Sequence, residues 1–470
     1  MTRRRDLLAL ASLVIVVVSA TAIGVGARAT YGAQTTADEP QYLLSALSLW
    51  EDGDLDISDE LADERYRVFH EADLPEQTLQ LDDGRRVSPH DPLLPLLLAA
   101  PMGLGGWSAA KLALALLGGA LAGLLAWTMI TRFDVSPTVA YLTAGIFALA
   151  PPLAVYSTQI YPEVPAAFAL LAGFAAVSGP FERRGRLVLV ASVIALPWLA
   201  VKFVPVAAVL AVAGLVRAGR GHRGLLLAAM FVGSLVYVIG HLEIYGGVTA
   251  YAAGDHFVGG EFTVVGTQVS MWGRSTRLIG LLVDRGFGIG AWQPAYLILP
   301  FVAGWALSKR QQRFSVAGWL LGIGWLIATF VALTMHGWWF PGRQLVVVLP
   351  IAVVLIGTWL DRARSWQRNL VVGAGLFGVV AFVFLVVEGL SADLTWVVDF
   401  GATTNPLYRA LTPAMPDYMA PTAKTWLLHG VWVAIALASI WMGWREGRPR
   451  IASLELSIPV EREANQEVLS

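Results

Sequence analysis

Long apolar runs constrain this chain more than any other feature of its sequence. A bilayer-spanning helix needs about 20 consecutive, mainly apolar residues, and stretches of this kind recur along the whole chain. Of its 470 residues, 56% are apolar and only 14% are charged, whereas a soluble domain has about 25% charged residues. These proportions exclude a soluble globular protein and a disordered one. The sequence therefore predicts an all-α fold, a polytopic membrane helix bundle.

Twelve runs are candidate spans, so we expect about 12 transmembrane helices. They lie at residues 7–27, 107–130, 138–156, 163–179, 187–201, 203–217, 224–243, 290–307, 315–335, 343–360, 369–388 and 425–443. The fifth and sixth are short and meet at Lys202, so they are either two spans or one broken, re-entrant hairpin. The first run follows three arginines, as a secretory signal does. Its length favours a membrane anchor instead.

Arginine clusters between the runs set the predicted orientation. Short loops rich in Lys and Arg favour the cytoplasmic side of a membrane. With a cytoplasmic N-terminus, alternating spans place every cluster on that side, at Arg132, Arg183 to Arg186, Arg217 to Arg223, Lys309 to Arg313, Arg362 to Arg368 and Arg445 to Arg450. Both termini are then cytoplasmic, and the large loops 30–106 and 244–289 are extracytoplasmic.

The first outer loop is strongly acidic. Residues 30–91 carry 16 of the chain's 34 acidic side chains and only four basic ones. Two apolar stretches, 92–106 and 274–287, are unsuited to crossing the bilayer, and we expect them to lie as helices at the headgroup level. Residues 1–450 are thus predicted to form one transmembrane domain, and 451–470 a disordered polar tail.

Acidic residues at the predicted outer face are candidates for catalysis. Asp38 and Glu39 open a predicted amphipathic helix, where an N-cap and a first-turn acid would also simply stabilise the helix. Glu163 follows Tyr161 and Pro162 at the start of a span. A carboxylate beside hydrocarbon is costly and points to a function, although the helix dipole alone also favours it there.

Cations at the same face are candidates for binding a phosphate. Lys202 either snorkels to the interface or holds a lipid phosphate. Arg343 departs from the positive-inside pattern, and its planar guanidinium suits a phosphate; Arg285 has a similar claim. Trp338, near His336, is also typical of an ordinary interfacial aromatic belt.

Motifs for several other chemistries are missing from the sequence. It contains no Walker-type loop, no HExxH and no Gly-x-Ser-x-Gly, which argues against nucleotide, zinc-protease and serine-hydrolase chemistry. The absence of Cys excludes disulfides and thiolate metal sites. The histidines of the predicted outer face are scattered without ligand spacing, so a zinc site is not predicted.

The order of these residues resembles the GT-C superfamily of membrane glycosyltransferases, specifically its protein O-mannosyltransferase-like branch, which includes the lipid A aminoarabinose transferases. The matching positions are Asp38 to Tyr42, Gly53-Asp54, Ser88 to Pro95, Gly105-Gly106, Glu163, Lys202 and Gly342-Arg343. One departure concerns the interfacial helix. The aminoarabinose branch tends to have Lys-Pro-Pro-Leu there, whereas this chain has His90-Asp91-Pro92-Leu93, so the phosphate-binding Lys of that branch is not carried over.

The resemblance implies transfer of a sugar from a dolichyl- or undecaprenyl-phosphate donor to an extracytoplasmic protein, lipid or glycan acceptor, with inversion. Asp38 is the expected general base, and Glu39 and Glu163 would orient the acceptor or position the cations. The phosphate would be held by Lys202, Arg285 and Arg343. The substrate pocket is expected to include Tyr42, His90, Asp91, Tyr161, His336 and Trp338. The Asp-Glu branch works without a metal, so no metal or other cofactor is assigned, although the acidic loop offers an alternative place for a divalent cation. No nucleic-acid partner is expected.

Two other functions stay open as alternatives. A transporter or flippase of a lipid-linked sugar predicts ionisable residues in the middle of spans and often repeated halves, and the sequence shows almost no mid-span charge and no repeat. A non-catalytic scaffold predicts that Asp38, Glu163, Lys202 and Arg343 lie apart, by more than about 15 Å, since groups that act together must reach one substrate.

Overall fold

Helices make up the regular structure of the computed structural model, which describes residues 4–255 and 270–448. Those in the first half are α1 Arg4–Ile23, α2 Glu39–Glu51, α3 Ser58–Ala62, α4 Leu93–Phe133, α5 Pro137–Ala148, α6 Leu153–Tyr156, α7 Glu163–Ser178, α8 Arg183–Leu199, α9 Val204–Arg217 and α10 Arg220–Tyr245. Those in the second half are α11 Met271–Ser275, α12 Arg277–Val283, α13 Ile289–Trp292, α14 Leu299–Leu307, α15 Gln312–Leu326, α16 Leu349–Leu360, α17 Ser365–Leu390, α18 Pro406–Leu411 and α19 Ala423–Gly447. Within the described residues, extended segments form only isolated bridges. The predicted all-α fold is confirmed. The tail 451–470 lies outside the described residues.

The helices support a multi-pass membrane protein. Six described helical segments are long and apolar enough to cross a bilayer, namely Arg5–Gly26, Leu93–Phe133, Arg220–Ala253, Gln312–Val331, Ser365–Leu390 and Ala423–Gly447. Four apolar segments are shorter, namely Pro137–Ala148, Glu163–Ser178, Pro294–Leu307 and Leu349–Leu360. Each of the twelve predicted runs overlaps a helix, and their number as membrane crossings stays a prediction.

The two short runs that meet at Lys202 form two helices, α8 and α9. A single 3-10 turn, Val201–Phe203, joins them, and α8 packs against both α7 and α9. The proline-containing sequence on either side of this turn explains the break, because proline has no amide hydrogen to continue a helix. The turn places Lys202 at the junction of the two helices.

The segment between α1 and α4 carries α2 and α3. The predicted interfacial stretch 92–106 forms the first part of α4, which breaks at Gly105 and Gly106. Gly106 has a φ of +66°, a conformation that favours glycine, so the chain changes direction there before the apolar part of α4. The second predicted interfacial stretch, 274–287, includes the end of α11 and the whole of α12.

The helices differ in the share of their residues that is buried, which distinguishes central helices from peripheral ones. Every residue of α16 is buried, which fits a helix that is apolar on all sides, and α16 packs against α4, α5, α7, α14 and α15. By contrast, α10 and α19 bury only three residues each. Their large exposed apolar side chains fit contact with lipid.

Loops that carry the arginine clusters meet one another at one end of the bundle. Arg217 donates hydrogen bonds to the carbonyl oxygens of Val177 and Gly179, at the C-terminus of α7. Arg313 donates one to the carbonyl oxygen of Arg132, and Lys309 donates one to that of Gly447 at 2.8 Å. Cations are stabilised at helix C-termini by the helix dipole. These contacts bring the arginine-rich loops together, and the side of the membrane on which they lie stays a prediction.

Close contact between α14 and α19 depends on glycine. A Cβ atom at Gly443 would lie 1.9 Å from the carbonyl oxygen of Phe301, whereas one at Gly430, in the same helix, would meet nothing within 4 Å. We expect Gly443→Ala to push the helices apart and to lower the free energy of unfolding by about 1–3 kcal/mol, as overpacking does.

Gly430→Ala is the matched control. It is expected to leave the protein unchanged or to stabilise it by up to about 1 kcal/mol, because alanine favours helix more than glycine does. Unfolding of both variants in detergent, followed by tryptophan fluorescence, is the measurement. Equal stability of the two would contradict the packing described.

Candidate active site

Arg343 joins the segments that carry the candidate acids. Its Nη2 donates to Asp38 Oδ2 at 2.7 Å, and its Nε donates to Glu163 Oε1 at 3.0 Å. The guanidinium carbon lies 3.8 Å from the centre of the Tyr161 ring, a cation–π contact. Arg343 is buried, with 7% of its surface exposed. A charge so enclosed needs partners, and the two carboxylates supply them.

Gly342 allows Arg343 to reach this position. Its φ is +86°, and a Cβ atom there would lie 2.8 Å from Ile289 and 3.0 Å from Pro152. Only glycine combines this backbone conformation with so little space. The Gly-Arg pair noted in the sequence thus has a physical reason, since the turn at Gly342 directs the arginine inward.

Lys202 completes a cluster of two carboxylates and two cations. Its Nζ donates to Glu163 Oε1 at 2.8 Å, so that one oxygen of Glu163 receives hydrogen bonds from both cations. Glu163 is buried, whereas a quarter of the Lys202 side chain is exposed. Glu163 is therefore paired with both cations through one oxygen, and the partly exposed Lys202 keeps access to the space beside it.

Asp38 does not cap α2 as the sequence suggested. Its side chain makes no hydrogen bond to the first turn of the helix, because its carboxylate faces Arg343 instead. Ala37 before it has a φ of +49°, an uncommon conformation for a residue with a side chain. Burial opposes ionisation of Asp38, but the charge of Arg343 and the neighbouring His90 outweigh it and hold the pKa of this carboxyl well below its usual range.

His90 lies on the other side of Asp38. Its Nε2 is 3.8 Å from Asp38 Oδ1, its Nδ1 is 2.8 Å from Ser88 Oγ, and its ring centre is 4.6 Å from that of Tyr42. Ser88 and His90, which precede α4, thus lie beside Asp38 at the edge of the cluster.

Asp91 holds the backbone next to Lys202. Its Oδ2 accepts a hydrogen bond from the amide of Val201 at 3.1 Å, and its Oδ1 lies 2.9 Å from His241 Nε2. The hydroxyl of Tyr237 also donates to Oδ1, at 3.3 Å. With these partners, Asp91 positions the turn that carries Lys202.

Glu39 is enclosed beside the cluster. Its Oε1 accepts a hydrogen bond from the amide of Ile160, and its Oε2 accepts one from the amide of Thr36 at 2.8 Å. Burial raises the pKa of Glu39, and the charge of Lys111 offsets part of this effect. Because both oxygens bind backbone, Glu39 connects α2 to the segment before α7.

A cavity of about 330 Å³ lies against the cluster. Its polar wall consists of Asp38, Tyr42, Gln77, His90, Asp91, Lys202, Tyr251, Thr334, Arg343 and Gln344. Its apolar wall includes Ile327, Val331, Ala332, Leu333 and Trp339. One surface of the cavity can thus receive a charged headgroup and another an apolar chain.

Three predicted site residues lie elsewhere. Arg285 donates to Asp417 at 3.2 Å, and His336 Nε2 lies 3.5 Å from Asp284. Trp338 is 63% exposed, and its neighbour Trp339 lines the cavity and contacts Arg343 instead. None of the three is among the residues that line this cavity.

Sequence reasoning missed several residues of the site. Gln77, Tyr251 and Lys111 carried no motif, and Gln77 and Tyr251 lie far apart in the sequence. Trp339 stands beside Trp338 in a loop that is typical of an interfacial aromatic belt. For two adjacent aromatic residues in a short loop, the sequence does not show which side chain faces the cavity. Ser88 belongs to the stretch Ser88 to Pro95 that carries the family resemblance, but the sequence does not show its contact with His90.

Removing Arg343 tests the energetic role of the cluster. We expect Arg343→Gln to lower the free energy of unfolding by about 3–5 kcal/mol, because it leaves Asp38 and buried Glu163 with fewer partners. Adding Glu163→Gln should recover part of this loss. The measurement is a double-mutant cycle from unfolding in detergent.

Arg85→Gln, which removes a partly exposed arginine that pairs with Asp83 and donates to the carbonyl oxygen of Glu243, is the control and should change stability by no more than about 0.5 kcal/mol. Strictly additive effects of Arg343→Gln and Glu163→Gln would contradict the coupling.

Comparisons with known proteins identify the fold. No protein-family model matches the chain, and no curated protein matches it significantly. Two crystal structures of ArnT from Cupriavidus metallidurans do resemble it. The structure bound to undecaprenyl phosphate has 17% identity and a TM-score of 0.52, with 92% of this chain and 75% of that chain covered. The apo structure has 17% identity and a TM-score of 0.53, with 93% and 75% covered.

At this level of identity, the similarity describes the fold. The chain therefore shares the helical fold of ArnT over most of its length, in agreement with the all-α fold predicted from the sequence.

Proposed function

We propose that this protein transfers a sugar from a polyprenyl-phosphate sugar to an acceptor hydroxyl, with inversion at the anomeric carbon. The observation that carries the proposal is that Asp38, Lys202 and Arg343 line one cavity with an apolar wall, while buried Glu163 holds both cations from behind. A lipid-phosphate sugar requires these features together, because its headgroup is anionic and its tail is apolar. One of the ArnT structures with this fold is bound to undecaprenyl phosphate.

Asp38 is the proposed general base. The acceptor oxygen attacks the anomeric carbon, the bond from that carbon to the phosphate oxygen breaks, and the phosphate leaves with the electron pair. The hydroxyl proton passes to Asp38, which is partly exposed to the cavity and has His90 within 3.8 Å. A positioned base typically contributes about 100- to 10,000-fold in rate.

Lys202 and Arg343 are the proposed phosphate-binding residues. Negative charge develops on the phosphate as the bond to the sugar breaks, and fixed cations stabilise that charge. A phosphate at this position also draws the Arg343 charge away from Asp38. Because that charge lowers the pKa of Asp38, donor binding would make Asp38 a better base. Arg285 is left out because it binds Asp417.

Glu163, Glu39 and Asp91 are proposed as positioning residues. Glu163 holds both cations through one oxygen. Glu39 and Asp91 bind backbone amides beside the catalytic segments. None of the three needs to contact the reacting atoms. The alternative of a transporter or flippase has less support, because the charged groups gather at one cavity beside the ends of the helices.

Asp38→Asn tests the proposed base. In membranes supplied with polyprenyl-phosphate hexoses and pentoses and with candidate acceptors, we expect kcat to fall about 100-fold or more, because the amide cannot accept the proton. Asp82→Asn, in the exposed part of the same acidic segment, makes the same change in charge and should keep full activity. Full activity of a correctly inserted Asp38→Asn variant would remove Asp38 from this role.

We also propose that the cavity faces the extracytoplasmic side. The chain has no Cys, so single cysteines can be introduced without further change at two exposed positions, Asp82 and Arg184. We expect an impermeant maleimide to label Asp82→Cys in intact cells and Arg184→Cys only after permeabilisation. The reverse pattern would contradict the proposed orientation.

A further inference from the structure

Glu60 is a buried carboxylate without a donor. It lies in α3, and only 1% of its surface is exposed. Neither of its side-chain oxygens receives a hydrogen bond from the described part of the chain. An ionised carboxylate in this position is costly unless a cation or several donors offset its charge. Glu60 is far from the cluster around Arg343 in sequence and plays no part in the proposed transfer.

Two further carboxylates face Glu60. One oxygen each from Asp52, Asp59 and Glu60 can be chosen so that all three lie within 4.8 Å of one another. The neighbouring cation, Arg65, donates two hydrogen bonds to Glu51 instead, at 3.0 and 2.8 Å, and it acts on Glu60 only through longer-range attraction. Three carboxylates thus converge, and none of them forms an ion pair with a cation among the described residues. Burial and the adjacent Asp59 raise the pKa of Glu60 to about 8.

We propose that Asp52, Asp59 and Glu60 bind a divalent cation, and that this cation is Ca²⁺. Ca²⁺ binds oxygen ligands at about 2.3–2.6 Å. Two oxygens on one such ion are therefore no more than about 4.6–5.2 Å apart, and the three side chains meet this condition. Asp52 and Asp59 are exposed, so that water can complete the coordination of the ion.

The chemistry of the ligands favours Ca²⁺ over other ions. All three are carboxylates, which suit hard cations, whereas zinc prefers sites that contain Cys or His. Mg²⁺ requires near-ideal octahedral geometry and loses water reluctantly. A loop site in which the number of bound waters can vary is better suited to Ca²⁺. We expect the site to be half-saturated at about 0.1–1 mM Ca²⁺.

The position of the site gives the ion a structural task. Asp52 is the residue at the C-terminal end of α2, and Asp59 and Glu60 belong to α3. A cation is favoured at a helix C-terminus by the helix dipole, and here it would join the end of α2 to α3. Since α2 has 13 residues and rises about 1.5 Å per residue, the ion would lie about 20 Å from Asp38. It would hold the far end of the helix that Asp38 precedes, without entering the chemistry.

The test uses the full-length protein in detergent, stripped of metal with a chelator and then titrated with CaCl₂ or MgCl₂. Equilibrium binding of radioactive Ca²⁺ should give one site per chain that a tenfold excess of Mg²⁺ does not displace. The unfolding temperature should rise by several degrees as the site fills, because a ligand of the folded state stabilises it. Neither readout depends on transferase activity, so failure of this proposal is distinguishable from failure of the proposed function.

Three variants decide the assignment. Glu60→Gln should abolish both the bound Ca²⁺ and the rise in unfolding temperature, while stabilising the metal-free protein. Asp52→Asn, at an exposed position, should weaken binding at least tenfold. Asp82→Asn, with the same loss of charge elsewhere in the acidic segment, should leave binding unchanged.

Two results would overturn the proposal. One is a wild-type protein that binds no Ca²⁺ and becomes more stable only as pH falls, as expected if Glu60 and Asp59 share a proton. The other is an unchanged response to Ca²⁺ in both Glu60→Gln and Asp52→Asn.

Discussion

The burial of the Arg343 guanidinium is the constraint on which the arrangement of this site depends. A charge that is almost fully removed from solvent must be surrounded by opposite charge, and the carboxylates of Asp38 and Glu163 provide it from segments far apart in the sequence. The ion pairs therefore join the start of α2, the start of α7 and the turn before α16. The Tyr161 ring covers the guanidinium, and Lys202 supplies the second positive charge. Any rearrangement of these segments would expose or isolate a charge.

Carboxylates serve two different purposes around this cluster. Asp38 and Glu163 face cations, so their charge is neutralised and Asp38 stays accessible from the cavity. Glu39 and Asp91 instead accept hydrogen bonds from backbone amides, those of Thr36, Ile160 and Val201. Glu39 and Asp91 thus hold the backbone segments that carry Asp38, Glu163 and Lys202. Rigid support of this kind is what a site needs if its groups are to act on one substrate.

The sequence predicted the class of fold and the members of the central cluster because their signals are local. A run of apolar residues is recognisable without neighbours, and a charge next to such a run stands out because it is costly in lipid. Glu163, Lys202 and Arg343 were found in this way. Trp338 and Arg285 were predicted to belong to the pocket because they lie at the predicted outer face, where Arg285 departs from the positive-inside pattern as Arg343 does. Such a position does not determine direction, and the structure turns Trp339 inward and pairs Arg285 with Asp417.

The sequence by itself therefore determined that the chain is a helical membrane protein and how its charges are distributed between loops. It also determined which acids and cations are candidates for catalysis and phosphate binding. Hydrophobicity and charge act residue by residue, so composition and order are enough to show them. Tertiary structure alone decided that Arg343 pairs with Asp38 and Glu163 together, that Glu39 binds backbone, and that Glu60 is enclosed with Asp52 and Asp59. Each of these contacts depends on the packing of helices and on the turns at Ala37 and Gly342, which bring distant residues within a few ångströms.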